Sequence, residues 1–169
     1  NTRYLRRVLF PGRPHSGLSG IGQNSFFVVI DEQTAPENMP APGDGQDAAM
    51  IEDFNRKNKE QGKLLAEKLK AVLPEDRNIE ILTKEKRDRL FRDDAEMRNG
   101  WDEFRRNYPF AGGIVDFSRV GFNTKGNRAV VFVRQQAHYR MGVGYIVYLE
   151  KSAATDKWSI TGAVLAYMS

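Results

Sequence analysis

The chain has no cysteine and only two histidines among its 169 residues. The first absence excludes structural disulfides, zinc–thiolate sites and thiol catalysis. The second leaves His15 and His138 as the imidazoles available for general-base work. Long apolar runs are also missing. The longest, residues 26–30 and 162–168, are strand-sized and fall well short of the ~20 residues that span a bilayer, so no transmembrane segment is expected. Acidic residues are absent from the first 30 positions, which hold Arg3, Arg6, Arg7 and Arg13. The net charge of +4 comes from 26 basic and 22 acidic side chains, so setting those four arginines aside leaves 22 against 22. The basic character therefore belongs to an N-terminal arm, and the body is neutral. A neutral body does not favour diffuse attraction to nucleic acid, and no such partner is expected.

Ligand-cradling motifs are lacking too. There is no G-x-x-x-x-G-K-[ST] loop, and no G-x-G-x-x-G follows a strand and opens a helix. Calcium-loop spacing is absent, and Gly43–Asp47 (GDGQD) has no downstream bidentate glutamate. The acid pairs and triplets at Glu75–Asp76, Asp93–Asp94–Glu96 and Asp102–Glu103 read as solvated helix faces and caps. No cofactor and no metal are expected.

What is present is strand pattern. GIVDFSRVGF, RAVVFVRQ, VGYIVYLEK and KWSITGAVLAYM follow one another from Gly113 to Met168, separated by short turn-forming segments. Four such runs at short spacing predict a meander. Upstream, residues 25–31 (SFFVVID) read as a buried strand, and residues 32–46 form a proline-rich loop. Asp47 is placed to cap a helix whose Met50, Ile51 and Phe54 share one face. Gly62 interrupts it. Leu64, Leu65, Leu69, Val72 and Leu73 then recur at helical spacing until Pro74. Residues 78–82 alternate as a short strand, Thr83 caps a helix through Phe91, and Asp94 opens another carrying a Trp101, Phe104, Tyr108 stripe. The expectation is an α+β domain over residues 25–169, with a mostly antiparallel four- to six-stranded meander sheet and helices packed on one face. Residues 1–24 form an extended basic arm outside it.

Several blocks resemble a widespread bacterial domain family without assigned function. They are D-F-N-x-x-N at residues 53–58, G-W-x-x-F-x-x-x-Y-P at 100–109, G-I-x-x-x-S-R-V-G-F-N at 113–123, GVGYIVYLEK, and the terminal WSITGAVLAYMS. The resemblance covers residues 26–169 and leaves the arm outside. Members carry two cysteines before the GYY strand, where this chain has Ala137 and Met141. The resemblance implies the fold and often an exported, cell-envelope context, and the expected location is peripheral, at the cell envelope or the periplasmic face. It implies no reaction.

The arm is the leading functional signal. Tyr4, Leu5, Val8, Leu9 and Phe10 sit among Arg3, Arg6, Arg7 and Arg13 with no fold of their own to pack on. An acid-free start of this kind is compatible with what a targeting segment leaves behind, and it contains no apolar signal core. A segment with so little to bury on itself is expected to lie against another subunit, one that can be membrane-associated. The chain thus reads as a non-catalytic accessory or structural subunit of a larger assembly. The competing reading is a hydrolase or small-ligand module built on the His138 loop, with Ser118 and Asp116 on a neighbouring strand. No strained nucleophile turn surrounds Ser118, so a solvated loop histidine is the plainer reading. Arg119 is expected on the opposite face to Ser118, paired with a helix acid or with backbone carbonyls at a sheet edge.

Overall fold

The structure, a computed structural model, describes residues 27–41, 43, 47–64, 78–92 and 98–169. A seven-stranded sheet forms its backbone. In chain order the strands are β1 (Phe27–Asp31), β2 (Asn78–Leu82), β3 (Ala111–Phe117), β4 (Gly121–Phe122), β5 (Arg128–His138), β6 (Met141–Lys151) and β7 (Trp158–Met168). Three helices are described, α1 (Ala48–Lys57), α2 (Lys84–Phe91) and α3 (Arg98–Asn107). Across the sheet the order is β2-β1-β3-β5-β6-β7, with β4 paired to β5 beyond the end of β3.

The α+β class is as expected, but the sheet is mixed and larger than a four- to six-stranded meander. β1 runs parallel to both β2 and β3, whereas β3, β5, β6 and β7 pair antiparallel. Parallel neighbours need long crossovers, and the helical stretches before β2 and β3 supply the length. The expected continuous strand over residues 113–122 is also broken. β3 stops at Phe117 and β4 begins at Gly121, because the side chain of Asn58 captures the backbone of Arg119. Asn58 Oδ1 accepts from the Arg119 N–H at 2.7 Å, and Nδ2 donates to the Arg119 carbonyl at 2.9 Å.

Local signals set the helices. Asp47 Oδ1 accepts from the Met50 N–H at 3.4 Å, and Thr83 Oγ1 accepts from the Lys86 N–H at 3.3 Å, so both expected caps are in place. Met50, Ile51 and Phe54 are buried against Val130 and Phe132 of β5. Leu90, Trp101 and Phe104 are buried against Val29, Leu82 and Ile114. Strand register places Val29, Ile114, Phe132 and Val130 on one face of the sheet, so both helical clusters cover that face. Val115, Val133 and Val147 form a third cluster on the other. The helical spacing at Leu65–Leu73 and the helix start at Asp94 lie outside the described residues.

Candidate functional site

Between the two helical clusters the sheet carries charge. Asp31 ends β1 and Asp116 lies one residue before the end of β3. Ile30 stands opposite Val115 in the parallel pair, so the two carboxylates come side by side at the strands' C-terminal ends. Both are buried. Arg134 of β5 grips Asp116 with Nε at 3.1 and 3.0 Å from its two oxygens and Nη2 at 3.0 Å from Oδ2. Asp31 accepts from the Gln33 N–H at 2.9 Å and pairs with Arg87 of α2. Burial pushes the Asp116 carboxyl up to about 6, with the Arg134 charge pulling against it. Burial raises Asp31 as well, opposed by Arg87. Tyr167 of β7 lies on the same face as Arg134, and burial raises its phenol, with the Arg134 charge pulling against it.

A cavity of about 40 Å³ adjoins this cluster, lined by Arg87, Phe91, Trp101, Ile114, Asp116 and Gln136. The buried Trp101 indole N–H has no hydrogen-bond partner. Such a space admits a water-sized molecule. The arrangement can therefore hold a proton on Asp116 in mildly acidic solution and tie β1, β3, β5 and α2 together electrostatically. It offers no room for an organic substrate.

The motif blocks meet in a second place, and their polar groups turn to backbone. Asp53 Oδ2 accepts from the Phe122 N–H at 2.8 Å, and Lys57 Nζ donates to the Val120 carbonyl at 3.1 Å. Asn55 holds Met39 from both sides, accepting from its N–H at 2.8 Å and donating to its carbonyl at 3.0 Å. With Asn58 on Arg119, the D-F-N-x-x-N helix serves as a clasp on the S-R-V-G-F-N segment. Gly121 permits the close approach, since a Cβ there would lie 2.6 Å from Phe54 Cβ and 2.7 Å from the Met50 carbonyl oxygen.

The sequence candidates fare differently. Ser118 is buried where the strand breaks, and its hydroxyl accepts from the Phe132 N–H at 2.8 Å while donating to the Arg119 carbonyl at 3.1 Å. His138 ends β5, six residues beyond Phe132 and on the order of 20 Å along the strand. Its ring lies 4.0 Å from that of Tyr139. With Asp116 held by Arg134, the three side chains do not converge, and Ser118 and Arg119 do not alternate as strand faces. Arg119 sends Nη1 to the Lys57 carbonyl at 3.2 Å, a helix end and not a sheet edge. Arg3, Tyr4, Leu5, Arg6, Arg7, Val8, Leu9, Phe10, Arg13 and His15 lie outside the described residues. Sequence reasoning missed Arg134 as the partner of Asp116, and Asp31, Arg87 and Trp101 as its neighbours. The available signal was a charge set inside a buried apolar run, as in VVID, GIVDF and VVFVRQ.

The far edge of the sheet is different again. β7 pairs inward with β6, and no described strand pairs with its outer side. Its apolar side chains Trp158, Val164, Leu165 and Met168 are exposed. Among the described residues no helix is long and apolar enough to cross a membrane, and no group of three or more potential ligands could hold a metal. Searches of protein-family models, of curated proteins and of solved structures find no match for this chain.

Proposed function

We propose that the chain is a non-catalytic accessory subunit of a larger protein assembly, docked through its N-terminal arm. The observation that carries this reading is β7, a sheet edge with exposed apolar side chains and no described strand on its outer side. Exposed apolar side chains along a sheet edge suit a contact site, because water gains when they are covered. The arm adds a second contact, with Tyr4, Leu5, Val8, Leu9 and Phe10 supplying apolar area and the arginines supplying charge. The partners are other protein subunits, and the bacterial family that the chain resembles suggests a peripheral place at the cell envelope.

Native electrophoresis of the chain in its own cells tests this. The expected result is migration in a complex much heavier than 19.2 kDa, lost when residues 1–24 are deleted. Migration of the intact chain at its own mass would overturn the reading.

A further inference from the structure

We propose that β7 pairs antiparallel with the β7 of a second copy of this chain, across a two-fold axis near Ala163, joining two sheets into one. The inference rests on the assembly reading for its motive, but its geometry is independent of the arm.

β7 lacks two of the devices that keep an edge strand solitary, although its pairing with β6 is irregular at Thr161 and Ala166. Its eleven residues, WSITGAVLAYM, contain no charge and no proline. The opposite edge, β2, carries Glu80, which is paired to Lys86. Along β7 all residues but Ile160, Gly162 and Ala163 are exposed. Trp158 (40 % exposed), Leu165 (48 %) and Met168 (74 %) stand opposite Lys151, Tyr145 and Val143 on one face, while Val164 (54 %) stands opposite Ile146 on the other.

The strand's own side chains point to a copy of itself as the occupant. In an antiparallel self-pairing centred on Ala163, one irregularity falls on each side, at Thr161 and Ala166, so Trp158 and Met168 stand equally far from the centre and Trp158 meets Met168 of the other copy, twice over. Both lie on the same face, and an aromatic ring against a thioether is a favourable contact. Val164 falls opposite Gly162, also on a shared face, and the space where a Gly162 Cβ would stand is empty. The branched side chain of one copy thus fills the gap left by the other's glycine. Tyr167 falls opposite Ser159. No like charges oppose each other, and such a self-complementary contact closes at two copies.

The full chain at micromolar concentration is expected to have twice 19.2 kDa in light-scattering chromatography. The double variant V164K/L165K, which places a cation on each face of β7, is expected to halve that mass while keeping the far-ultraviolet circular dichroism. Because the chain has no cysteine, A163C introduces a single thiol, and oxidation is expected to cross-link it to its counterpart. A153C, in the turn before β7, is expected to stay uncross-linked. A full chain at 19.2 kDa overturns the pairing and leaves a heavy native complex to be judged separately. A dimer that survives V164K/L165K without A163C cross-linking overturns it too. So does a dimer lost on deleting residues 1–24, which would assign the contact to the arm.

Discussion

Asp116 and Arg134 stand on neighbouring strands, eighteen positions apart in the chain, and their geometry sets a definite pH behaviour. The folded carboxyl titrates near 6, while in the unfolded chain it returns to about its ordinary 3.8. Between those values the folded state holds a proton that the unfolded state has shed. Stability therefore falls as pH rises from about 4 to 6 and levels off above, by roughly 3 kcal/mol from this group. Asp116→Asn should remove that component, so the urea midpoint of the parent should fall relative to that of the variant as pH rises through this window. Parallel curves would show that burial does not govern the carboxyl. Arg134→Met strands Asp116 without its two-pronged partner and should cost about 3–5 kcal/mol at pH 7. Replacing both, as D116L/R134M, should recover most of that in the same denaturation assay, because an apolar pair carries no desolvation penalty.

At the scale of elements, α1 is held by polar groups on one end and apolar groups along its face. Its Asp53, Lys57 and Asn58 reach the backbone of residues 119–122, while Met50, Ile51 and Phe54 close on β5. Gly121→Ala would force the helix away from this segment, since the added carbon has backbone oxygen and Phe54 in its place. Overpacking of this kind costs about 1–3 kcal/mol, to be read as a lower thermal midpoint. Gly43→Ala, where no atom lies within 4 Å of the added carbon, should stay within about 0.5 kcal/mol. A G121A protein as stable as G43A would mean that the clasp yields without loss.

For the whole molecule, the sheet gathers two parallel neighbours around β1 and an antiparallel run ending at β7. The described helices cover one face of this sheet, and no described strand pairs with the outer side of its last strand. If residues 25–169 are the folding unit, deletion of residues 1–24 should leave one cooperative urea transition with an unchanged slope. A loss beyond about 1 kcal/mol would place those residues within the domain and weaken the case for an arm that docks elsewhere.

Local chemistry was legible in the chain because each signal lies within a few residues of its effect. Asp47 and Thr83 cap the helices that follow them, and Trp101 and Phe104 share the buried stripe that their spacing implies. Alternation likewise marked β5, β6 and β7 as strands. Alternation does not reveal a neighbour, however. The parallel placing of β1 between β2 and β3, and the meeting of Asp116 with Arg134, depend on contacts distant in sequence. The strand pattern also ran unbroken through Ser118 and Arg119, because the break comes from Asn58, about sixty residues upstream. The sequence by itself determined which segments carry helix or strand periodicity and where charge is concentrated. Only the tertiary structure decided which charges are buried together and which strand is left at the edge, because register and burial are properties of the assembled sheet.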